Sequence, residues 1–99
     1  MPKAPLKDIV KHCDRTLRIN AIADYDSALN GLQVENDGKI SRIAAAVDAS
    51  LATVRKAAAQ KADLLLVHHG LFWNPQQPWV GKKRDLIGAL VENNMAVYS

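Results

Sequence analysis

The sequence has a single cysteine, Cys13, which excludes an internal disulfide. No apolar run approaches the roughly 18 residues that a membrane-spanning helix needs, and the N-terminal MPKAPLKD lacks the apolar core of a secretory signal. Arginine-rich helices, zinc-finger spacings and alternating basic and aromatic residues are also missing, so nucleic acid is not an expected partner. These absences favour a cytoplasmic protein that does not bind membranes.

The composition is that of a folded domain, because 48% of the 99 residues are hydrophobic and the net charge is only +3. A chain of this size can bury one modest core, so we expect residues 1–99 to form a single domain. The basic run Lys82, Lys83 and Arg84 comes just ahead of a predicted helix. It either faces solvent or binds an anion there, since cations oppose the dipole at a helix N-terminus.

The spacing of the apolar residues predicts an α/β fold. Helical spacing indicates helices over Pro5–Arg18, Ser50–Lys61 and Asp85–Asn93. Short apolar runs indicate strands over Leu32–Val34, Ile40–Val47, Leu64–Val67 and Met95–Tyr98. The turn signal Asn36-Asp37-Gly38 predicts that the first two strands form a hairpin. The later β-α-β-α-β order predicts a parallel sheet with right-handed crossovers and helices on its faces.

Two adjacent histidines, His68 and His69, follow a strand that has four apolar residues in a row. Asp48 occupies the equivalent place after the preceding strand, and ligands of α/β sheets gather beyond the carboxyl ends of strands. Gly70 lets the backbone turn, so the two imidazoles can each face one of two neighbouring ions. The alternative is structural: one imidazole hydrogen-bonds a carbonyl and the other faces solvent.

Three segments resemble motifs of the Nif-three-like family, which includes the YbgI proteins and those named GTP cyclohydrolase 1 type 2. Asp63–Trp73, DLLLVHHGLFW, is similar to the family hallmark. Asp24-Tyr25 followed by NGLQVE at Asn30–Glu35 is similar to a second motif, and Ala46–Ala57 to the segment between the two. The order and spacing of the segments fit, so the resemblance covers nearly the whole chain.

The resemblance implies a three-layer α/β/α fold with a largely parallel or mixed sheet, and a toroidal homohexamer. It also implies a site with two divalent ions of the zinc, iron or manganese type, in which His68 and His69 each supply one ligand. The family's other ligands are an aspartate after a later strand, and a histidine and a glutamate near the C-terminus. None has a counterpart here, so the resemblance implies the N-terminal part of a longer protein, inactive by itself.

For the longer protein the resemblance implies a metal-dependent hydrolase that acts on a nucleotide-type substrate. The alternative is a non-catalytic protein that binds metal or nucleotide. Asp48 either orients a histidine through its ring N–H or caps the following helix together with Ser50. Phe72 and Trp73 either wall a pocket or pack in the core or a subunit interface.

Overall fold

A computed structural model describes residues 3–17, 31–70 and 78–99, and the fold is that of these residues. Their helices are α1 (Leu6–Leu17), α2 (Leu51–Ala59) and α3 (Lys82–Glu92). Their strands are β1 (Ala4–Pro5), β2 (Leu32–Val34), β3 (Lys39–Ile40), β4 (Ile43–Asp48), β5 (Leu64–His69) and β6 (Ala96–Tyr98). The order from β4 onward is strand, helix, strand, helix, strand, which confirms the predicted β-α-β-α-β run.

The main sheet is mixed, with the strand order β2-β6-β5-β4. The strands β4, β5 and β6 are parallel to one another, and β2 is antiparallel to β6. The short strands β1 and β3 form a separate antiparallel pair. In the parallel part, α2 connects β4 to β5 and α3 connects β5 to β6, so each helix joins two neighbouring strands.

Helices cover both faces of this sheet, as the resemblance predicts. On one face, α2 and α3 pack on the side chains of Leu65, Val67 and Val97. On the other face, α1 packs on Leu64 and Tyr98. Because successive strand residues point to opposite faces, the consecutive leucines of β5 serve two different cores, and the result is a three-layer α/β/α arrangement. No helix in the described part of the chain is long and apolar enough to cross a membrane.

The predicted hairpin between Leu32–Val34 and Ile40–Val47 is wrong. The strand β2 pairs with β6, and β3 pairs with β1. The second predicted strand is interrupted at Ser41 and Arg42, whose backbone N–H groups donate to Oδ2 of Asp63 at 2.9 and 3.1 Å. These two donors are therefore taken by a side chain and not by a neighbouring strand, so the chain changes direction and separates β3 from β4.

The helix α3 begins earlier than its apolar spacing predicts. The expected start was Asp85, but the helix begins at Lys82, so the basic run forms its first turn instead of preceding it. Cations are unfavourable in the first turn of a helix, whereas the Asp85 carboxylate there is favourable. The buried side chains of Leu86 and Leu90 supply the packing that outweighs the terminal charges, since tertiary packing contributes most of the stability of helices in proteins.

One side-chain amide joins three chain segments at the amino edge of the sheet, and we call this group the Asn36 junction. Nδ2 of Asn36 lies 3.3, 3.3 and 3.2 Å from the carbonyl oxygens of Lys39, Asp63 and Asn94. Oδ1 of the same amide accepts from the N–H of Gly38 at 2.9 Å. The Asn36 side chain therefore closes the turn at residues 36–38 and also hydrogen-bonds to the backbone just before β5 and β6.

We expect Asn36→Ala to lower the free energy of unfolding by about 1–2 kcal/mol, because it removes the side-chain hydrogen bonds that join the turn to the starts of β5 and β6. Urea unfolding measures the change. Asn93→Ala is the matched control, since the Asn93 amide donates to the carbonyl of Ala89 within its own helix. Equal losses in the two variants would contradict a joining role for Asn36.

Candidate functional site

Both histidines belong to β5, which runs two residues further than predicted, from Leu64 to His69. The parallel register places the Cα of Asp48 opposite the Cα of His69. The strands β4 and β5 therefore end together at the carboxyl edge of the sheet. The sequence prediction that Asp48 and the histidine pair share this edge is confirmed in position.

His68 is exposed, and it directly follows the buried Val67. The chain thus passes from core to surface in one step at the end of β5. An ion in solvent can reach this ring without opening the core. Phe72 and Trp73, which the sequence suggested as pocket or packing residues, lie outside the described residues.

Asp48 connects the end of β4 to the start of α2 through its backbone. Its carbonyl accepts from Oγ1 of Thr53 at 2.8 Å. The helix cap itself is a capping box made by Ser50 and Thr53: Oγ of Ser50 accepts from the Thr53 N–H at 3.2 Å, and Oγ1 of Thr53 accepts from the Ser50 N–H at 2.9 Å. The predicted cap at Ser50 is therefore present, and the Asp48 carboxylate is on an exposed residue beside the strand end.

A third side chain reaches this edge from β2 and had no role assigned from the sequence. Gln33 packs so closely on Gly70 that a Cβ atom at residue 70 would lie 2.4 Å from Oε1 of the amide. Gln33 belongs to the NGLQVE motif, and Gly70 follows the histidine pair. The contact thus joins two motifs that are far apart in the sequence, and the glycine directly after His69 was the one signal that pointed to it.

The packing of α1 on the sheet raises the pKa of two side chains, Cys13 of α1 and Tyr98 of β6. Burial and the hydrogen bond donated to Oδ1 of Asp14 at 2.6 Å raise the pKa of the Tyr98 phenol. Burial and the Asp14 carboxylate also raise the pKa of the Cys13 thiol. Because the thiolate is the form that binds metal, Cys13 is disfavoured as a ligand, and Tyr98 is disfavoured as a base at neutral pH.

The donors at the carboxyl edge fit a divalent metal ion in kind. Imidazole binds zinc, iron and other first-row ions, and carboxylate suits manganese; the edge carries two histidines and Asp48. For two ions these three side chains are too few, because one stable zinc site alone uses about three or four protein ligands. Within residues 3–17, 31–70 and 78–99, no group of three or more His, Cys, Asp or Glu side chains could hold an ion.

Comparison with known proteins identifies relatives along the whole described length. Residues 4–99 match the family model described as Duf34/NIF3 (NGG1p interacting factor 3). A protein from Neisseria meningitidis serogroup A named GTP cyclohydrolase 1 type 2 homolog is 46% identical over 95 residues, covering 93% of this chain and 37% of that protein. The chain therefore spans little more than a third of the length of this relative.

Solved structures share the fold. The crystal structure of TTHA1606 from Thermus thermophilus superimposes with a TM-score of 0.90 at 38% identity, covering 96% of this chain and 39% of that one. A protein named ybgI, of unknown function, gives a TM-score of 0.88 at 34% identity, covering 97% of this chain and 38% of that one. The resemblance that rests on the HHG motif is thus confirmed.

Proposed function

Because this chain belongs to the Duf34/NIF3 family, we propose that it supplies His68 and His69 to a site for two divalent metal ions, one ion to each imidazole. The observation that carries the proposal is the histidine pair at the end of a buried parallel strand, with Asp48 in register beside it. Ligands of open α/β sheets bind outside the carboxyl ends of the strands. Zinc, iron and manganese are the candidate ions, since two imidazoles do not select among them.

The reaction we propose for the longer proteins of the family is metal-dependent hydrolysis of a nucleotide-type substrate. A bound divalent ion lowers the pKa of its water toward neutrality, and the name GTP cyclohydrolase 1 type 2 homolog of the relatives supports a nucleotide. The role of this chain in that reaction is to hold the ions at the carboxyl edge of the sheet. Alone it is inactive, because its described residues offer too few donors for a stable site.

Self-association into a homo-oligomer is part of the proposal, as is a cytoplasmic location. In the part of the chain that the structure describes, β4 is the outer strand of the sheet, and it exposes 49% of Ile43 and 63% of Val47. An unpaired strand edge that carries exposed apolar side chains favours pairing with another chain. A second copy of this chain would cover these side chains, in keeping with the hexamer that the family resemblance implies.

Zinc binding by the purified chain tests the proposal. We expect His68→Ala/His69→Ala to lose at least tenfold in zinc affinity by equilibrium dialysis, because it removes both imidazole ligands. His12→Ala is the control, since His12 is exposed on α1 and should leave zinc binding unchanged. Equal zinc binding by the parent and the double variant would contradict the assignment. Turnover of GTP by the parent chain would contradict the inactivity of the chain alone.

A further inference from the structure

The histidine pair ends a strand that has β4 on one side and β6 on the other. On the β6 side the register includes the pair of Leu66 and Tyr98. On the β4 side it continues to the pair of Asp48 and His69. The register with β4 therefore reaches the histidine pair.

A bulge in β2 brings Gln33 to this place. Leu32 lies opposite Tyr98 and Val34 lies opposite Val97, so two neighbours in β6 face residues two apart in β2 and Gln33 is the extra residue. A bulge takes one residue out of the regular pairing and changes the direction of its side chain. Gln33 is therefore displaced from the regular pairing between β2 and β6.

The amide of Gln33 fills the space above Gly70. A Cβ atom at residue 70 would lie 2.4 Å from Oε1, 2.7 Å from Nε2 and 2.8 Å from Cδ of Gln33. All three distances are far below ordinary van der Waals contact between heavy atoms. An alanine at residue 70 would therefore displace the Gln33 amide. With glycine there, a neutral amide lies on the backbone directly after His69.

We propose that Gln33 is a positioning residue for the histidine pair: its amide rests on Gly70 and fixes the direction in which the chain leaves His69. The inference rests on the proposed metal site for the chemistry that it positions. Asp48 of β4 is in register with His69, and Gln33 of β2 contacts the next residue, Gly70.

Cobalt binding and NMR of the whole chain test this role. The variants are Gln33→Ala, which removes the contact; Gln33→Glu, which keeps its shape; Gly70→Ala, which fills the space; and the double variant Gln33→Ala/Gly70→Ala. Gln60→Ala is the control, since Gln60 is exposed at the end of α2.

Co²⁺ is titrated while the amide and imidazole resonances are followed, because shifts register weak as well as tight binding. Urea unfolding is measured on each variant.

We expect Gln33→Ala and Gly70→Ala each to weaken Co²⁺ binding roughly tenfold, the range seen when groups that orient metal ligands are removed. The double variant should bind no more weakly than either single one, because both changes disrupt one contact. Gln33→Glu should bind at least as tightly as the parent, and Gln60→Ala should match it. Parent-like binding by Gln33→Ala would overturn the proposal. The proposal would also be overturned if Gln33→Glu bound Co²⁺ as weakly as Gln33→Ala and the weakening in each variant followed its loss of stability.

Failure of the metal site itself gives a different result. If the parent binds no Co²⁺, the proposed function fails for this chain. The positioning role of Gln33 is then tested by comparing the resonances of the metal-free parent with those of the metal-free variants. Displaced resonances of the His68 ring and the Gly70 amide in Gln33→Ala, with none in Gln60→Ala, would support it. Unchanged resonances in Gln33→Ala would overturn it.

Discussion

Asp63→Ala should lower the free energy of unfolding by about 3 kcal/mol. Oδ2 of Asp63 accepts from the N–H and the hydroxyl of Ser41 at 2.9 and 2.8 Å, and from the N–H of Arg42 at 3.1 Å. Hydrogen bonds to a charged group contribute about 1.5–3 kcal/mol each, and partial exposure of this carboxylate reduces their sum. Chemical denaturation at neutral pH measures the loss.

The contribution of Asp63 should depend on pH in one direction. Burial alone would raise the pKa of its carboxyl, but the hydrogen bonds from Ser41 and Arg42, with Lys3 nearby, outweigh burial and hold the pKa below the ordinary 3.8. A carboxyl whose pKa is lower in the folded state stabilises the fold above its unfolded pKa, and this stabilisation is lost as the pH falls through the folded value. Asp63→Asn should therefore differ from the parent in stability at neutral pH, and the difference should shrink as the pH falls below 3.8 and through the folded pKa.

Asp37→Ala is the control for this group. Its carboxylate accepts from the N–H of Lys39 at 3.1 Å on an exposed residue, so its removal should cost about 0.5 kcal/mol or less, as at ordinary surface positions. A loss as large as that of Asp63→Ala would show that acidic residues stabilise this edge through general electrostatics. If Asp63→Asn stayed less stable than the parent in acid, the charge of Asp63 would not be the cause of its contribution to stability.

Leu90→Ala should cost about 3–4 kcal/mol, within the range for leucine-to-alanine changes in a core. Leu90 is 0% exposed and belongs to the cluster in which α2 and α3 pack on the sheet. The truncation leaves a cavity between layers that regular elements hold apart, so the surroundings collapse into it only partly. Thermal or urea unfolding measures the loss.

Val91→Ala is the matched control for Leu90→Ala, one residue along the same helix. Val91 is 71% exposed, so its truncation should change the free energy of unfolding by less than about 0.5 kcal/mol. Similar losses in the two variants would mean that the burial of Leu90 between α3 and the sheet does not determine the stability of this layer.

The later half of the fold could be predicted from the sequence because its signals are local. The four apolar residues that precede His68 have no alternation, which is typical of a strand buried on both faces. Ser50 before an apolar helical pattern is a cap signal, and a capping box is present there. With β4 and β5 parallel, the meeting of Asp48 and His69 at one edge follows directly.

The pairing of β2 could not be predicted, because it depends on side chains distant in the sequence. Asp63 takes the N–H groups that a hairpin would have used, and nothing in the sequence near Ser41 shows that. The contact of Gln33 with Gly70 accompanies a bulge in β2, and no local sequence signal shows that bulge. The start of α3 at Lys82 was missed because buried leucines further along the helix outweigh an unfavourable first turn.

The contacts that stabilise the sheet and the residues of the candidate metal site lie at opposite edges of it. The Asn36 junction and the Asp63 carboxylate hold the amino edge, whereas the histidine pair stands at the carboxyl edge. A strand of this length spans about 17–20 Å, and substitutions more than about 7–10 Å apart usually act independently. Ligands at the carboxyl edge can therefore be exchanged for others, by selection or by a protein engineer, while the amino edge is strengthened separately.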